Sequence, residues 1–266
     1  MSFEMGPALL FCPASRPDRY RKAAERADAV ILDLEDAVAP TDKAAAREAL
    51  AANPLDPART IVRVNGVRSG ELESDLELLA GSGYRTVMLP KAESAGDVGA
   101  LAGYEAIALV ETARGVVAAN EIAAADGVVA LMWGAEDLVA SLGGTSSRWP
   151  SGSYRDVAVH ARAGVLVAAG AHGKAAIDAV HTDLADQEGL RAEAEDAAAS
   201  GFTATACLHP DQVAVIRAAY RPSEERVAWA RAVLSAAGAH PGVFSFEGQM
   251  IDEPVLALAR RVLARV

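Results

Sequence analysis

Two cysteines, five histidines and 5% aromatic residues in a chain of 266 leave several common chemistries poorly supplied. Cys12 and Cys207 stand in separate apolar runs and share no metal-ligand or redox spacing, so they read as buried thiols rather than a disulfide. The histidines are scattered and none has a partner at ligand spacing, which argues against a zinc-type centre. Positive charge is also short: 25 Lys and Arg face 36 Asp and Glu, a formal net charge of −11. That balance excludes nucleic acid as a partner, because phosphates demand a basic face. It leaves room for a small anionic substrate, since a local arginine cluster or a bound metal reverses the field inside a cleft. No apolar run reaches membrane-spanning length, and Glu4 stands where a signal peptide would carry basic charge. The expected setting is a reducing cytoplasm, with no membrane partner. No GxGxxG or phosphate-loop sequence opens the first helix, so a nucleotide-binding doubly wound sheet lacks its main signature.

What is present is a regular alternation. Short apolar runs occur at Ala8–Cys12, Ala29–Leu34, Thr60–Val64, Thr86–Leu89, Ala106–Val110, Val128–Trp133, Ala175–Val180 and Thr203–Leu208. Most are nearly continuous and rich in β-branched residues, as expected of parallel strands covered on both faces. Between them lie helical patterns such as Arg16–Ala27, Lys43–Ala52, Leu72–Ala80, Gly115–Ala125 and Gly189–Ala199. Eight strand–helix repeats of ~25 residues predict an α/β fold, a (β/α)8 TIM barrel, with a C-terminal helical extension. The barrel is assigned to residues 1–222. Residues 223–266 form an extension that is part of the same domain or reaches a neighbouring subunit. It comprises a helix near Ser223–Ala237, an arm over Pro241–Asp252 and a last helix from about Pro254. Phe244 and Phe246 are candidate apolar anchors of the arm on a neighbour. Gly143–Tyr154, rich in Gly and Ser, is long enough for a lid or binding loop.

In such barrels chemistry sits at the C-terminal ends of the strands. Strand two ends in Asp33-Leu34-Glu35-Asp36, strand three carries Arg63 and Asn65, strand four ends at Lys91, strand five at Glu111 and strand six at Glu136-Asp137. Each acid taken singly has a plain alternative: a helix cap, a solvated side chain, or, for Glu35, a structural partner in Lys91. His209, at the end of strand eight, is either a helix-start residue or a catalytic one. Together the acids repel in a low-dielectric cleft unless something neutralises them. A Mg2+ ion would, since hard cations take carboxylate oxygens and keep places for water and substrate.

In this order along the chain, LFCPASRPDRY, VILDLEDAVAPTDKAAAR, IVRVNG, TVMLPKAES, ALVETARGV, GAEDL and SFEGQMID resemble the citrate lyase β-subunit-like family of the HpcH/HpaI aldolase and citrate lyase superfamily. The resemblance spans about Leu10 to Ile251. It implies a Mg2+-binding barrel that cleaves or forms hydroxyacyl-CoA or acyl-carrier thioesters of citryl, citramalyl or malyl type, giving acetyl-CoA and an oxo-acid. The metal ligands implied are Glu111 and Asp137, with Asp36 behind them. The substrate-binding arginine falls on Arg63, and CoA phosphates or adenine on Arg16 and Arg19. An acid entering an adjacent subunit's site falls on Asp252, which implies a ring-like homo-oligomer, a trimer. In physical terms Arg63 would hold developing negative charge in a bidentate grip and Asp252 would move a proton. Other readings are the β-subunit of a citrate lyase complex acting on a citryl carrier protein, a CoA-free hydroxy-acid aldolase, and an inactive binding or scaffold barrel. The joint presence of Glu111, Asp137 and Arg63 speaks against the last.

Overall fold

A computed structural model describes residues 3–238 and 242–266 of the chain. Eight strands close in sequence order into a parallel barrel: β1 Ala8–Pro13, β2 Ala29–Asp33, β3 Thr60–Arg63, β4 Thr86–Leu89, β5 Glu105–Val110, β6 Val128–Trp133, β7 Ala175–Asp178 and β8 Ala204–Cys207. Each falls on its expected apolar run. The helices of this part are α1 Pro17–Arg26, α2 Lys43–Ala52, α3 Leu72–Ala80, α4 Ala95–Gly99, α5 Ala113–Ala124, α6 Ala135–Ser141, α7 Asp156–Ala171, α8 Gln187–Ser200 and α9 Pro210–Tyr220. Several starts are set by side-chain caps: Ser94, Thr112 and Asp186 accept the backbone N–H three residues on, at the heads of α4, α5 and α8. Gly201 ends α8 in the left-handed conformation at φ 113°. The α7 sequence, DVAVHARAGVLVAAGA, has valines on its exposed side (Val159 and Val167) as well as its buried one, so no polar stripe marked it as a helix.

Because side chains alternate along a strand, each strand sends every second residue into the barrel. Leu9, Ala29, Ile31, Ile61, Met88, Ile107, Leu109, Ala130, Met132, Ile177, Ala204 and Ala206 form that interior cluster. The interior is a packed core, and it leaves the top of the barrel for chemistry. Both cysteines are buried, and burial pushes the Cys12 thiol up to about 11, far from the nucleophilic thiolate.

The chain divides into two compact units: the described residues up to Ile216, and Arg217–Val266, with the division inside α9. The second unit contains α10 Glu224–Ala237, a hairpin of β9 Phe244–Phe246 and β10 Gln249–Ile251, and α11 Glu253–Leu263. Its core is Ala230, Val233, Ile251 and Ala259. Phe244 and Phe246, expected as anchors on a neighbour, pack on this cluster of their own unit, because they share the hairpin face turned to it. Val243 and Met250, in and beside the hairpin, stay 67% exposed each. The hairpin reverses through Glu247 and Gly248, both at positive φ (48° and 80°), the conformation of a two-residue turn that matches strand twist. The first residue of the expected arm, Pro241, lies outside the described residues. No helix among the described residues is long and apolar enough to cross a membrane.

Candidate active site

Continuing the inward rows by two residues predicts what faces the mouth of the barrel. Ala29 and Ile31 are followed by Asp33, Ile61 by Arg63, Ile107 and Leu109 by Glu111, and Ala130 and Met132 by Gly134. These positions line one cavity of ≈ 670 Å3, together with Asp36, Asp137, Arg19 and Lys22. Asp33 and Arg63 are register partners on adjacent strands. The Arg63 guanidinium donates from Nε and Nη2 to the two Asp33 carboxylate oxygens, at 2.7 Å each. Asp33 also accepts the Glu35 and Ala37 backbone N–H groups, so its own position is held from the chain. Burial works against the Arg63 charge, but the Asp33 bond, Asp33 and Glu35 outweigh it and hold its pKa above the ordinary range. Nε and one Nη2 hydrogen are used by Asp33, and Nη1 is ion-paired with Glu35 at 2.9 Å, so only the guanidinium's remaining N–H hydrogens can be offered to the cavity. Phe11 lies beneath the guanidinium, its ring centre 5.0 Å away.

Glu111 is 3% exposed and is reached by one close donor, the Lys91 backbone N–H, at 3.0 Å from Oε1. Its Oε2 passes over Gly134: a Cβ there would lie 2.8 Å from this oxygen. Any larger residue would displace the carboxylate, so Gly134 is required by close approach. Burial, and then the neighbouring Asp137 charge, push the Glu111 carboxyl up to about 8. Such a pair is short of positive charge. Among the described residues no group of three or more His, Cys, Asp or Glu is arranged around a metal position. Glu111 and Asp137 offer hard carboxylate oxygens at the mouth, the donor type that Mg2+ takes while keeping several waters.

Lys91 donates to Glu35 Oε1 at 2.5 Å and to Asp36 Oδ2 at 3.2 Å, and its ammonium lies 3.5 Å from Asp137 Oδ1. Glu35 is thus the partner of Lys91 and is buried, with Arg63 Nη1 2.9 Å from Oε2 in an ion pair whose geometry gives that oxygen no hydrogen bond. Burial raises the Glu35 carboxyl above its usual range, against the pull of Arg63 and Lys91. His209 lines the cavity as well.

Arg19, Arg63, Asp36, Glu111 and Asp137 are thus brought to one cavity. Arg16 is not among its lining residues and instead pairs with Asp18 at the surface, 2.9 Å apart. Asp252 belongs to the second unit, where its side chain caps α11 by accepting the Val255 N–H at 3.3 Å. Sequence reasoning placed Asp33 at the mouth without giving it a role, and missed Gly134 and Lys22. Strand alternation points to Asp33 and Gly134, and Lys22 lies one helical turn beyond Arg19 on the same face. The Gly143–Tyr154 loop is tied down: Ser147 donates to Glu136 at 2.6 Å, and Arg148 pairs with Glu193 while stacking 3.8 Å over Tyr154.

Residues 8–210 match the family model described as HpcH/HpaI aldolase/citrate lyase. A citrate lyase subunit beta-like protein from Mycobacterium tuberculosis is 60% identical over 260 residues, 98% of this chain and 95% of its own length. The human mitochondrial citramalyl-CoA lyase is 33% identical over 290 residues, covering 96% of this chain and 84% of that protein. A crystal structure of the protein CitE from M. tuberculosis with magnesium, acetoacetate and coenzyme A superposes with a TM-score of 0.94 at 60% identity, covering 98% of each chain. This chain belongs to the HpcH/HpaI aldolase/citrate lyase family.

Proposed function

We propose that the protein is a Mg2+-dependent carbon–carbon lyase acting on a β-hydroxyacyl-CoA thioester of citramalyl, malyl or citryl type, with acetyl-CoA and a 2-oxo acid on the other side of the reaction. The observation that carries this reading is the convergence of Arg63, Glu111 and Asp137 in one cavity that also receives Arg19 and Lys22. Glu111 and Asp137 would hold the ion, which when bound supplies Lewis-acid polarisation of the oxo-acid carbonyl.

The remaining work falls to side chains. Asp33 sets the plane of the Arg63 guanidinium, which offers its unused N–H groups to a substrate oxygen that gains negative charge as the carbon–carbon bond breaks or forms. Asp36 holds Lys91 beside Asp137 and does not itself bind the ion. Arg19 and Lys22 give the cavity the positive edge that CoA phosphates need, and Arg16, one turn earlier on the surface, extends it. Asp252 holds or moves the proton of the hydroxyl or of the acetyl methyl group, delivered from a neighbouring copy in a cytoplasmic homotrimer. Supporting that delivery, the hairpin before Asp252 leaves Val243 and Met250 uncovered by the rest of its own unit.

The test is a lyase assay with citramalyl-, malyl- and citryl-CoA, with Mg2+ and with a chelator. Turnover of one thioester that disappears on chelation is expected. Folded protein that neither turns over any of the three nor binds Mg2+ with an oxo acid in a calorimeter overturns the reading.

A further inference from the structure

One residue touches both proposed metal carboxylates, and it is a cation. Lys91 follows β4, and its backbone sits at φ 51°, a left-handed conformation that costs a non-glycine residue about 1 kcal/mol and is kept only where the surroundings hold it. That conformation aims its N–H at Glu111 Oε1, 3.0 Å away, and leaves Oε2 on the Gly134 side. The side chain then turns toward three acids. Its ammonium is hydrogen-bonded to Glu35 and Asp36, whereas Asp137 Oδ1, at 3.5 Å, is within ion-pair range but beyond a good hydrogen bond. Lys91 can therefore give up Asp137 without losing either hydrogen bond.

We infer that Lys91 is a positioning residue for the metal pair: its backbone sets Glu111, and its ammonium is a tethered counter-cation that balances Glu111 and Asp137 until a divalent ion takes over. The inference rests on the reading of Glu111 and Asp137 as the metal carboxylates. Without the ammonium, Glu35 keeps Arg63, which already grips Asp33, whereas among the described residues Asp36, Glu111 and Asp137 make no other ion pair. The same ammonium that steadies the empty pair opposes an arriving dication. Removing it costs stability in metal-free buffer and strengthens metal binding, two effects of opposite sign from one substitution.

Lys91→Gln keeps the backbone N–H and removes only the charge. Calorimetric titration with Mg2+, without substrate, is expected to show binding about ten-fold tighter than in the unsubstituted protein. The unfolding temperature should fall in chelator and recover in saturating Mg2+, so the Mg2+-induced rise exceeds that of the parent. Lys91→Arg, which restores a cation, should bind Mg2+ within about two-fold of the parent. A folded Lys91→Gln chain that binds Mg2+ no more tightly than the parent overturns the inference. If this chain folds only when Mg2+ is present, the inference is supported; if it folds in neither buffer, Lys91 serves the fold and the inference fails. If the parent itself binds no Mg2+, the metal reading falls first and this one with it.

Discussion

Two of the buried arginine–aspartate pairs in the first unit, Arg63–Asp33 and Arg162–Asp178, share a forked two-nitrogen geometry and do different work. Arg63 grips Asp33 at 2.7 Å twice, inside the mouth of the barrel. Arg162, on α7, grips Asp178 with Nε at 3.0 Å and Nη2 at 2.9 Å. Asp178 follows the inward Ile177 by one residue, so it points outward into the helix layer. There it also accepts the Trp133 indole N–H at 2.5 Å, while Arg162 spends its third nitrogen on Asp196 and lies over the Phe202 ring. Every arm of Arg162 is therefore engaged by the protein. The set around Arg63 is open: a buried Glu35 oxygen lacks a hydrogen bond and Glu111 is pushed up to about 8. One residue of strand parity separates a strut from a site.

The comparison breaks most sharply at the two arginines. Arg63→Lys keeps the charge and loses the planar fork, so kcat/KM should fall roughly 10^3-fold, as for loss of a charge-stabilising donor, with little change in melting temperature. A variant that turns over thioesters at the parental rate would place Arg63 with the struts. Arg162→Met should do the reverse. It leaves Asp178 buried and uncompensated, at a cost of about 3–5 kcal/mol in denaturant unfolding, while the folded fraction keeps parental kcat. Loss of kcat without loss of stability would show that the outer pair reaches the chemistry.

Whether the open set is completed by another chain is tested by mixing two inactive proteins, Asp252→Asn and Glu111→Ala. Asn caps a helix as well as Asp does, so the first variant removes the acid and not the α11 cap. In randomly mixed trimers roughly a quarter of sites would receive an intact metal pair and an intact arm, and activity should recover to about that extent. No recovery after demonstrated subunit exchange would confine Asp252 to its own chain.

The smallest effect separates the regions by pH. Glu193 loses hydration on burial, but the His181 and Arg148 hydrogen bonds more than compensate and hold its carboxyl below the usual value of 4.5. A lowered folded-state pKa contributes stability that is complete above the unfolded carboxyl range and is lost as pH falls through the folded value. The stability difference between the parent and Glu193→Gln should therefore be constant above about pH 6 and shrink below pH 4.5. A difference that grows with acidity would mean that Glu193 is not held by these partners.

How far the sequence was legible follows the same division. All eight strands could be read because a parallel strand covered on both faces is a continuous apolar run, and an acid or base just past such a run stands at the mouth whatever surrounds it. That sufficed to collect Arg63, Glu111 and Asp137. Helix α7 was not legible, since a helix with valines on both sides carries no 3.6-residue stripe. Arg16 and Arg19 share one motif, and only the fold separates a surface ion pair from a cavity-lining side chain.

By itself, then, the sequence determined the barrel, its strand order and the kind of residue at each strand end, because these depend on local periodicity. The tertiary structure alone decided that Asp33 serves Arg63, that Glu111 needs a glycine at position 134, and that Lys91 faces both Glu111 and Asp137. It also decided that Phe244 and Phe246 pack within their own unit. Those outcomes depend on which neighbours closure of the sheet brings within 3 or 4 Å, and on what charge is left over when buried groups have found their partners. No single stretch of chain carries that information, because each such contact joins residues far apart in sequence.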